Sequence, residues 1–274
     1  MIIAVHGATG LQGAPVVRQL LAQSHEVRAL ARNPHHAPAG AHPTPVDLAD
    51  PASLAAAYRG ADVVVVQFPV IFSEVILAQA DAILKALSGN KVEHVIFNTS
   101  AGIQRTETGH PFLDARFRLI RDLPELAPTV SVLGPAALYN EVLADPWTVA
   151  GNEIRHPLPP ELALPWVAAE DVATAIGELL TEPVSAQLIG GPEDLTGFQV
   201  AQVLSAVLGR ELRWRTTEIE EFRELMTPHL GAEVAAGVAG SYTAVTADTM
   251  DPALVRRGTT SLRDWAERWP WAAV

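Results

Sequence analysis

The chain has 274 residues, 49% of them hydrophobic, with 31 acidic against 19 basic side chains and a formal net charge of −12. This length and apolar share suit one large α/β domain, or one with a smaller lobe, and exclude a disordered chain. The acidic balance, with Lys85 and Lys91 the only lysines, argues against nonspecific binding to nucleic acid or an anionic membrane, and the absence of cysteine removes disulfides, thiol nucleophiles and cysteine metal sites.

The chain opens on the apolar run Met1–Val5, which reads as a buried parallel strand, followed by the glycine turn Gly7-Ala8-Thr9-Gly10-Leu11-Gln12-Gly13 and a helical spacing over Gln12–Ala22. Glycines at a strand-to-helix turn let the backbone approach a phosphate closely, and the free N–H groups of the helix start face the anion. Further strands are predicted at Glu26–Ala31, Pro45–Asp47, Ala61–Phe68, Val92–Asn98, Thr129–Leu133 and Gln187–Ile189. Helices are predicted between them at Pro51–Tyr58, Ser73–Leu87 and Phe112–Asp122. This alternation predicts a doubly wound parallel sheet of Rossmann type over residues 1–133, joined by a returning helix and strand at about 166–190.

After Leu133 the alternation stops, and prolines at 135, 146, 157, 159, 160 and 165 mark loops. Helical patterns then cover Asp171–Leu180, Thr196–Leu208, Ile219–Met226 and Ala232–Val238. Residues 134–165 and 191–274 are therefore expected to form a smaller, mainly helical substrate lobe. The N-terminus lacks a charged region ahead of its short apolar stretch, and no apolar run approaches the length of a membrane span, so a cytoplasmic location is expected.

Several strand ends carry chemistry. The second strand ends at Arg32, where an acid would accept hydrogen bonds from a free ribose 2′-hydroxyl; arginine instead pairs with a 2′-phosphate, which favours NADP(H) over NAD(H). Asp47 either borders the adenine or caps its own turn. Gln67 and Phe68 end the fourth strand and Asn98-Thr99-Ser100 the fifth, where doubly wound sheets place their ligand crevice. The nine histidines show no metal-ligand spacing, and no G-x-S-x-G elbow is present, so no metal site is expected.

The segments GATGLQG, VRALARNP, VDLADPASLAAAYRGADVVV, HVIFNTSAG and WVAAEDVATAIGELL, in this order, resemble the NmrA-like family of atypical short-chain dehydrogenases across nearly the whole chain. The resemblance implies phosphate binding at Gly7, Thr9, Gly10, Leu11 and Gln12, and 2′-phosphate recognition at Arg32; Gly13 completes the expected cofactor turn on its spacing alone. Members include NADPH-dependent quinone or dye reductases, isoflavone-type reductases and redox sensors without catalysis.

The chain departs from the wider pattern in which a tyrosine four residues before a lysine donates the proton. Tyr58, Tyr139 and Tyr242 have no lysine at that spacing, and Arg116 is the nearest basic substitute. In the segment Leu133-Gly134-Pro135, glycine stands where the family often has arginine. Ser100, His110 and Tyr139 are the candidate catalytic groups, each also readable as a cap, surface or packing residue. Tyr139, Trp147 and Trp166 are the candidate substrate walls, while Trp265 and Trp269, four apart, read as one buried helix stripe. The expected activity is NADPH-dependent hydride transfer to a flat conjugated acceptor such as a quinone, enone or imine, a small-molecule substrate. The alternatives are an NADP(H)-sensing regulator without catalysis and, further off, an isomerase or lyase that keeps its cofactor. Neither a nucleic acid nor a membrane is expected as partner, and a homodimer is compatible with the sequence.

Overall fold

The hydrophobic runs of the N-terminal half become adjacent parallel strands in the computed structural model, which describes residues 1–100, 102–245 and 252–271. Strands β1 (Ile2–His6), β2 (Glu26–Ala31), β3 (His42–Pro45), β4 (Val63–Gln67), β5 (His94–Asn98) and β6 (Thr129–Pro135) alternate with helices α1 (Gly13–Ala22), α2 (Pro51–Tyr58), α3 (Val75–Ser88) and α4 (Pro111–Asp122). Val63, Val64, Val65 and Val66 are each at most 3% exposed, so both faces of β4 are covered; this is why these strands read as unbroken apolar runs.

The chain divides into two compact units, residues 1–134 with 172–188, and residues 135–171 with 189–274. In the first, β9 (Ala186–Gly190) joins the sheet beyond β6, giving the order β9-β6-β5-β4-β1-β2-β3; the ladders β2–β3, β1–β2, β1–β4, β4–β5 and β5–β6 are all parallel. The order reverses between β1 and β4, which opens a crevice at the carboxyl ends of those two strands. Leu54, Tyr58, Ile76, Ile83, Phe97 and Leu119 form the core against the sheet.

The third strand differs from its expected position, running over His42–Pro45 rather than Pro45–Asp47. Asp47 is withdrawn from pairing because its carboxylate accepts from the Ala49 N–H at 2.9 Å and its own N–H donates to Ser53 Oγ at 3.3 Å. Pro43 and Pro45 cannot donate a ladder hydrogen bond, and they are tolerated because β3 is an edge strand.

In the second unit, helices α6 (Gly197–Leu208), α7 (Ile219–Leu230), α8 (Ala232–Ser241) and α9 (Leu262–Arg268) are accompanied by a sheet that the helical reading passed over. It consists of β7 (Val149–Ala150), β8 (Glu153–His156) and β10 (Arg213–Thr216), with β10 parallel and β7 antiparallel to β8. Arg215 on β10 donates to Glu153 on β8 at 2.8 Å and to Glu221 at 2.7 Å. The short strand β11 (Val255–Arg257) runs next to the end of β9, followed by the Gly258 N–H donating to the Gly190 carbonyl at 2.7 Å. Helix α5 (Ala169–Leu179) carries the chain from this unit back to the first.

Candidate dinucleotide site and the charged end of the sheet

Gly7 follows β1 with φ +57°, a conformation that favours glycine, and its carbonyl accepts from the Gly10 N–H at 2.9 Å. Gly13 begins α1 so close to this turn that a Cβ there would overlap the Gly7 carbonyl and stand 2.5 Å from Gln67 Nε2. The first turn of α1 has no side-chain cap and no acid, so its positive dipole end meets no anionic side chain of its own; within it the Ala14 N–H donates to the Gly10 carbonyl at 3.0 Å and Pro15 carries no N–H. Thr9, Gly10 and Leu11 are exposed around this turn. A residue with a side chain at position 13 would fill the cradle, and the first turn of α1 carries no acid to oppose a phosphate there.

Behind the turn, side-chain amides bind the strand ends together. Gln67 donates from Nε2 to the His6 carbonyl at 2.6 Å, and its Oε1 accepts from Asn98 Nδ2 at 3.2 Å. Asn98 Nδ2 also donates to Gln12 Oε1 at 3.1 Å, and Ser100 Oγ donates to the same oxygen at 2.8 Å. Asn98 Oδ1 accepts from the Ser100 N–H at 3.0 Å, holding Ser100 at φ +58°. Positive φ at a residue with a side chain costs free energy and is concentrated at functional sites. The structure thus brings Gln12, Gln67, Asn98 and Ser100 together around the glycine turn. Ala101 lies outside the described residues.

Beneath them, His6 is fully buried, with Nε2 2.6 Å from the phenolic Oη of Tyr58 and its ring stacked on Tyr58. Burial pushes His6 down to about 4, so it is neutral at physiological pH.

Arg32 is exposed and makes no hydrogen bond or ion pair with another described residue. Asp47 is also exposed and serves as a local turn cap through Ala49.

The carboxyl end of β5 carries a feature that sequence reading underrated. Arg116, on α4, is 1% exposed, donating from Nε to the Thr99 carbonyl at 2.7 Å and from NH1 to the Phe112 carbonyl at 2.6 Å. Its guanidinium carbon lies 3.6 Å from the centre of the Phe112 ring and 5.7 Å from that of Phe68. Burial pushes it down to about 9, still charged at neutral pH, and no carboxylate among the described residues pairs with it. Phe72 stacks on Phe112 with ring centres 4.5 Å apart, and exposed His110 meets Phe72 edge-on at 5.9 Å. The sequence marks Arg116 as basic, but a helical arginine gives no sign of burial until the turns of α4 are set against the strand.

The remaining candidates lie in the second unit. Tyr139 is 6% exposed and bridges to Val167; Trp147 is 9% and Trp166 3% exposed, both within that unit's apolar core. Trp166 packs edge-on against His156, while its indole N–H has no hydrogen-bond partner among the described residues. Trp265 is buried on α9 and stacks obliquely with Trp269 at 5.1 Å. The neighbouring Glu141, 4% exposed, accepts at Oε1 from the Ala169 N–H and from Trp265 Nε1, each at 3.1 Å. Burial pushes its carboxyl up to about 7. Among the described residues no cluster of side chains suits a metal ion, and no helix is long and apolar enough to cross a membrane.

A parallel sheet with a reversal between β1 and β4, and a glycine turn opening the helix at that point, defines the Rossmann class of α/β proteins. Within that class the chain belongs to the NmrA-like family, whose profile matches residues 1–259. It is 28% identical over 241 residues to an NAD(P)H azoreductase of Xenophilus azovorans, covering 82% of this chain and 80% of that one. Its fold is similar to that of the Citrobacter sp. triphenylmethane reductase complexed with NADP(H), with a TM-score of 0.75 and 18% identity over 97% of this chain and 99% of that one. It is also similar to an NADPH-dependent quinone oxidoreductase of Escherichia coli, with a TM-score of 0.71 and 18% identity over 97% and 98% of the two chains.

Proposed function

We propose that this chain is an NADPH-dependent reductase that delivers hydride to a flat conjugated acceptor: a quinone, an enone, an imine or a related double bond. The single observation that carries the reading is the glycine turn at the β1/β4 reversal, open at the start of α1 and braced by Gln67 and Asn98. An azoreductase relative and structural likeness to dye and quinone reductases support it. When bound, the dinucleotide supplies the hydride.

The chain's own residues bind and orient. The backbone of the glycine turn, with the dipole of α1 behind it, holds the pyrophosphate without a charged side chain. The uncommitted fork of Arg32 takes the 2′-phosphate and selects NADPH over NADH. Gln67 and Asn98 fix the relative positions of the turn and the end of β5, where the nicotinamide is expected. Ser100 already donates its hydroxyl hydrogen to Gln12, which leaves its oxygen as an acceptor; a substrate proton from Ser100 would require this bond to open. A quinone takes its proton from water. This allows reduction without the tyrosine–lysine pair, the protein's contribution being proximity in a crevice that excludes water. A cytoplasmic site of action, where NADPH is maintained, fits the lack of cysteine.

The test is loss of NADPH absorbance with a panel of quinones, enones, imines and azo or triphenylmethane dyes. Turnover of at least one acceptor class is expected. Tight NADPH binding with no turnover of any acceptor would sink the reductase reading in favour of an NADP(H)-sensing regulator.

A further inference from the structure

We propose that Arg116 supplies a fixed, uncompensated positive charge at the end of β5 that stabilises the anion formed when hydride enters the acceptor, so that the site favours acceptors that are or become anionic. The inference rests on the reductase reading and specifies its substrate class.

Other arginines of this chain are spent on carboxylates: Arg118 on Asp81, Arg215 on Glu153 and Glu221, Arg257 on Asp194. All of these are more exposed than Arg116, which is nearly fully buried and whose donor bonds among the described residues end on neutral carbonyls, those of Thr99 and Phe112. A buried cation without a counter-ion is costly to maintain, and the cost falls when a negative charge is bound nearby. Phe112 covers one face of the guanidinium and Phe68 stands beyond it, so water screens the charge little and its field extends through low-polarity surroundings. The atom it grips, the Thr99 carbonyl, belongs to the residue between Asn98 and Ser100, at the crevice end of the sheet.

Such a charge suits the chemistry. Hydride carries two electrons and one proton. Its addition to a quinone leaves the reduced dinucleotide oxidised by two electrons and the acceptor as a hydroquinone monoanion, whose second proton comes from water. A chain without a committed proton donor lowers this barrier by stabilising the anion before it is protonated. Arg116 is a positioning residue in this scheme, acting through its field and through the Thr99 carbonyl.

The experiment uses protein loaded with NADP+, which cannot turn over, and compares binding of 2-hydroxy-1,4-naphthoquinone, anionic at neutral pH, with that of neutral 2-methyl-1,4-naphthoquinone. Wild type is expected to bind the anion about tenfold more tightly, equivalent to about 1.4 kcal/mol. Arg116→Met is expected to lose this ratio while retaining NADP+ affinity, and Arg116→Lys to keep most of it. In turnover, Arg116→Met lowers kcat for the neutral quinone with the KM for NADPH unchanged, and Arg116→Lys rescues it. Equal affinity of wild type for the two quinones overturns the inference, as does an Arg116→Met that weakens both equally. The wild-type ratio and the lysine variant decide the matter even where the methionine variant fails to fold. Turnover without an anion preference removes the Arg116 inference alone; an anion preference without turnover removes the reductase reading and leaves the anion site standing.

Discussion

Glu141 allows a stability prediction whose sign and size both come from its surroundings. Its carboxyl is raised from 4.5 to about 7, chiefly by burial; the Ala169 and Trp265 donors on Oε1 oppose the rise, and Oε2 is buried without a hydrogen-bond partner among the described residues. The folded state therefore binds more protons than the unfolded state between these two values, and Glu141's contribution is fully present below pH 4.5 and lost as pH rises towards 7. At about 1.4 kcal/mol per tenfold change in proton affinity, the displacement amounts to about 3 kcal/mol. Glu141→Gln keeps an acceptor for Ala169 and Trp265 and cannot ionise. Its stability relative to wild type should rise by about 3 kcal/mol between pH 4.5 and pH 7 and then level off. The assay is urea denaturation of both proteins across this range. Subtraction is needed because burial also raises Asp145, to about 7, while it lowers His6 to about 4 and His156 to about 3. The two histidines act with the opposite sign, removing stability as pH falls below 6.5. A difference between wild type and variant that does not change with pH would refute the argument, because an exposed or fully solvated Glu141 would titrate alike in both states.

The other expectations concern the dinucleotide site. Arg32→Glu should weaken NADPH binding by roughly ten- to a hundredfold, the worth of a charge-assisted fork, while barely changing NADH binding; equal loss for both removes the 2′-phosphate assignment. Gly13→Ala should cost about 1–3 kcal/mol of stability through overlap with the Gly7 carbonyl, and should abolish dinucleotide binding measured by titration calorimetry; retention of both would mean that the turn relaxes freely. Ser100→Gly should be more stable than Ser100→Ala by about 1 kcal/mol, since both lose the bond to Gln12 but only glycine relieves the positive φ; an alanine variant of equal stability would show that the backbone there is unstrained.

The parts of the fold legible in the sequence were those in which one run of residues carries its own message. Val63–Val66 announces a strand buried on both faces, and Gly7, Gly10 and Gly13 announce a tight approach between strand and helix. What escaped depends on partners far away in the chain. Strands β8 and β10 are four residues each, Glu-Ile-Arg-His and Arg-Trp-Arg-Thr; their charges look solvent-directed until Arg215 meets Glu153, 62 residues away. β3 slipped because proline usually disqualifies a strand, and only an edge position makes the segment His42–Pro45 acceptable. In the candidate site, Gln67, Asn98 and Ser100 were recognisable as strand ends, yet Asn98 meets Gln67 across 31 residues, and Asn98 and Ser100 meet Gln12 across 86 and 88. Trp147 and Trp166 sat in proline-rich loops that suggested an open wall; in the folded chain both are core residues of the second unit.

The interleaving of the two units has a consequence for synthesis. The first unit takes residues 1–134 and then 172–188, so its sheet lacks β9 until the ribosome has made 37 residues that belong elsewhere, positions 135–171. A nascent chain of the first 134 residues therefore ends on the unpaired flank of β6, an apolar edge open to association with other chains. For the same reason a gene cut at the first boundary would not yield a complete first unit; an excision that keeps the sheet whole must carry residues 172–188 along with the rest of β9.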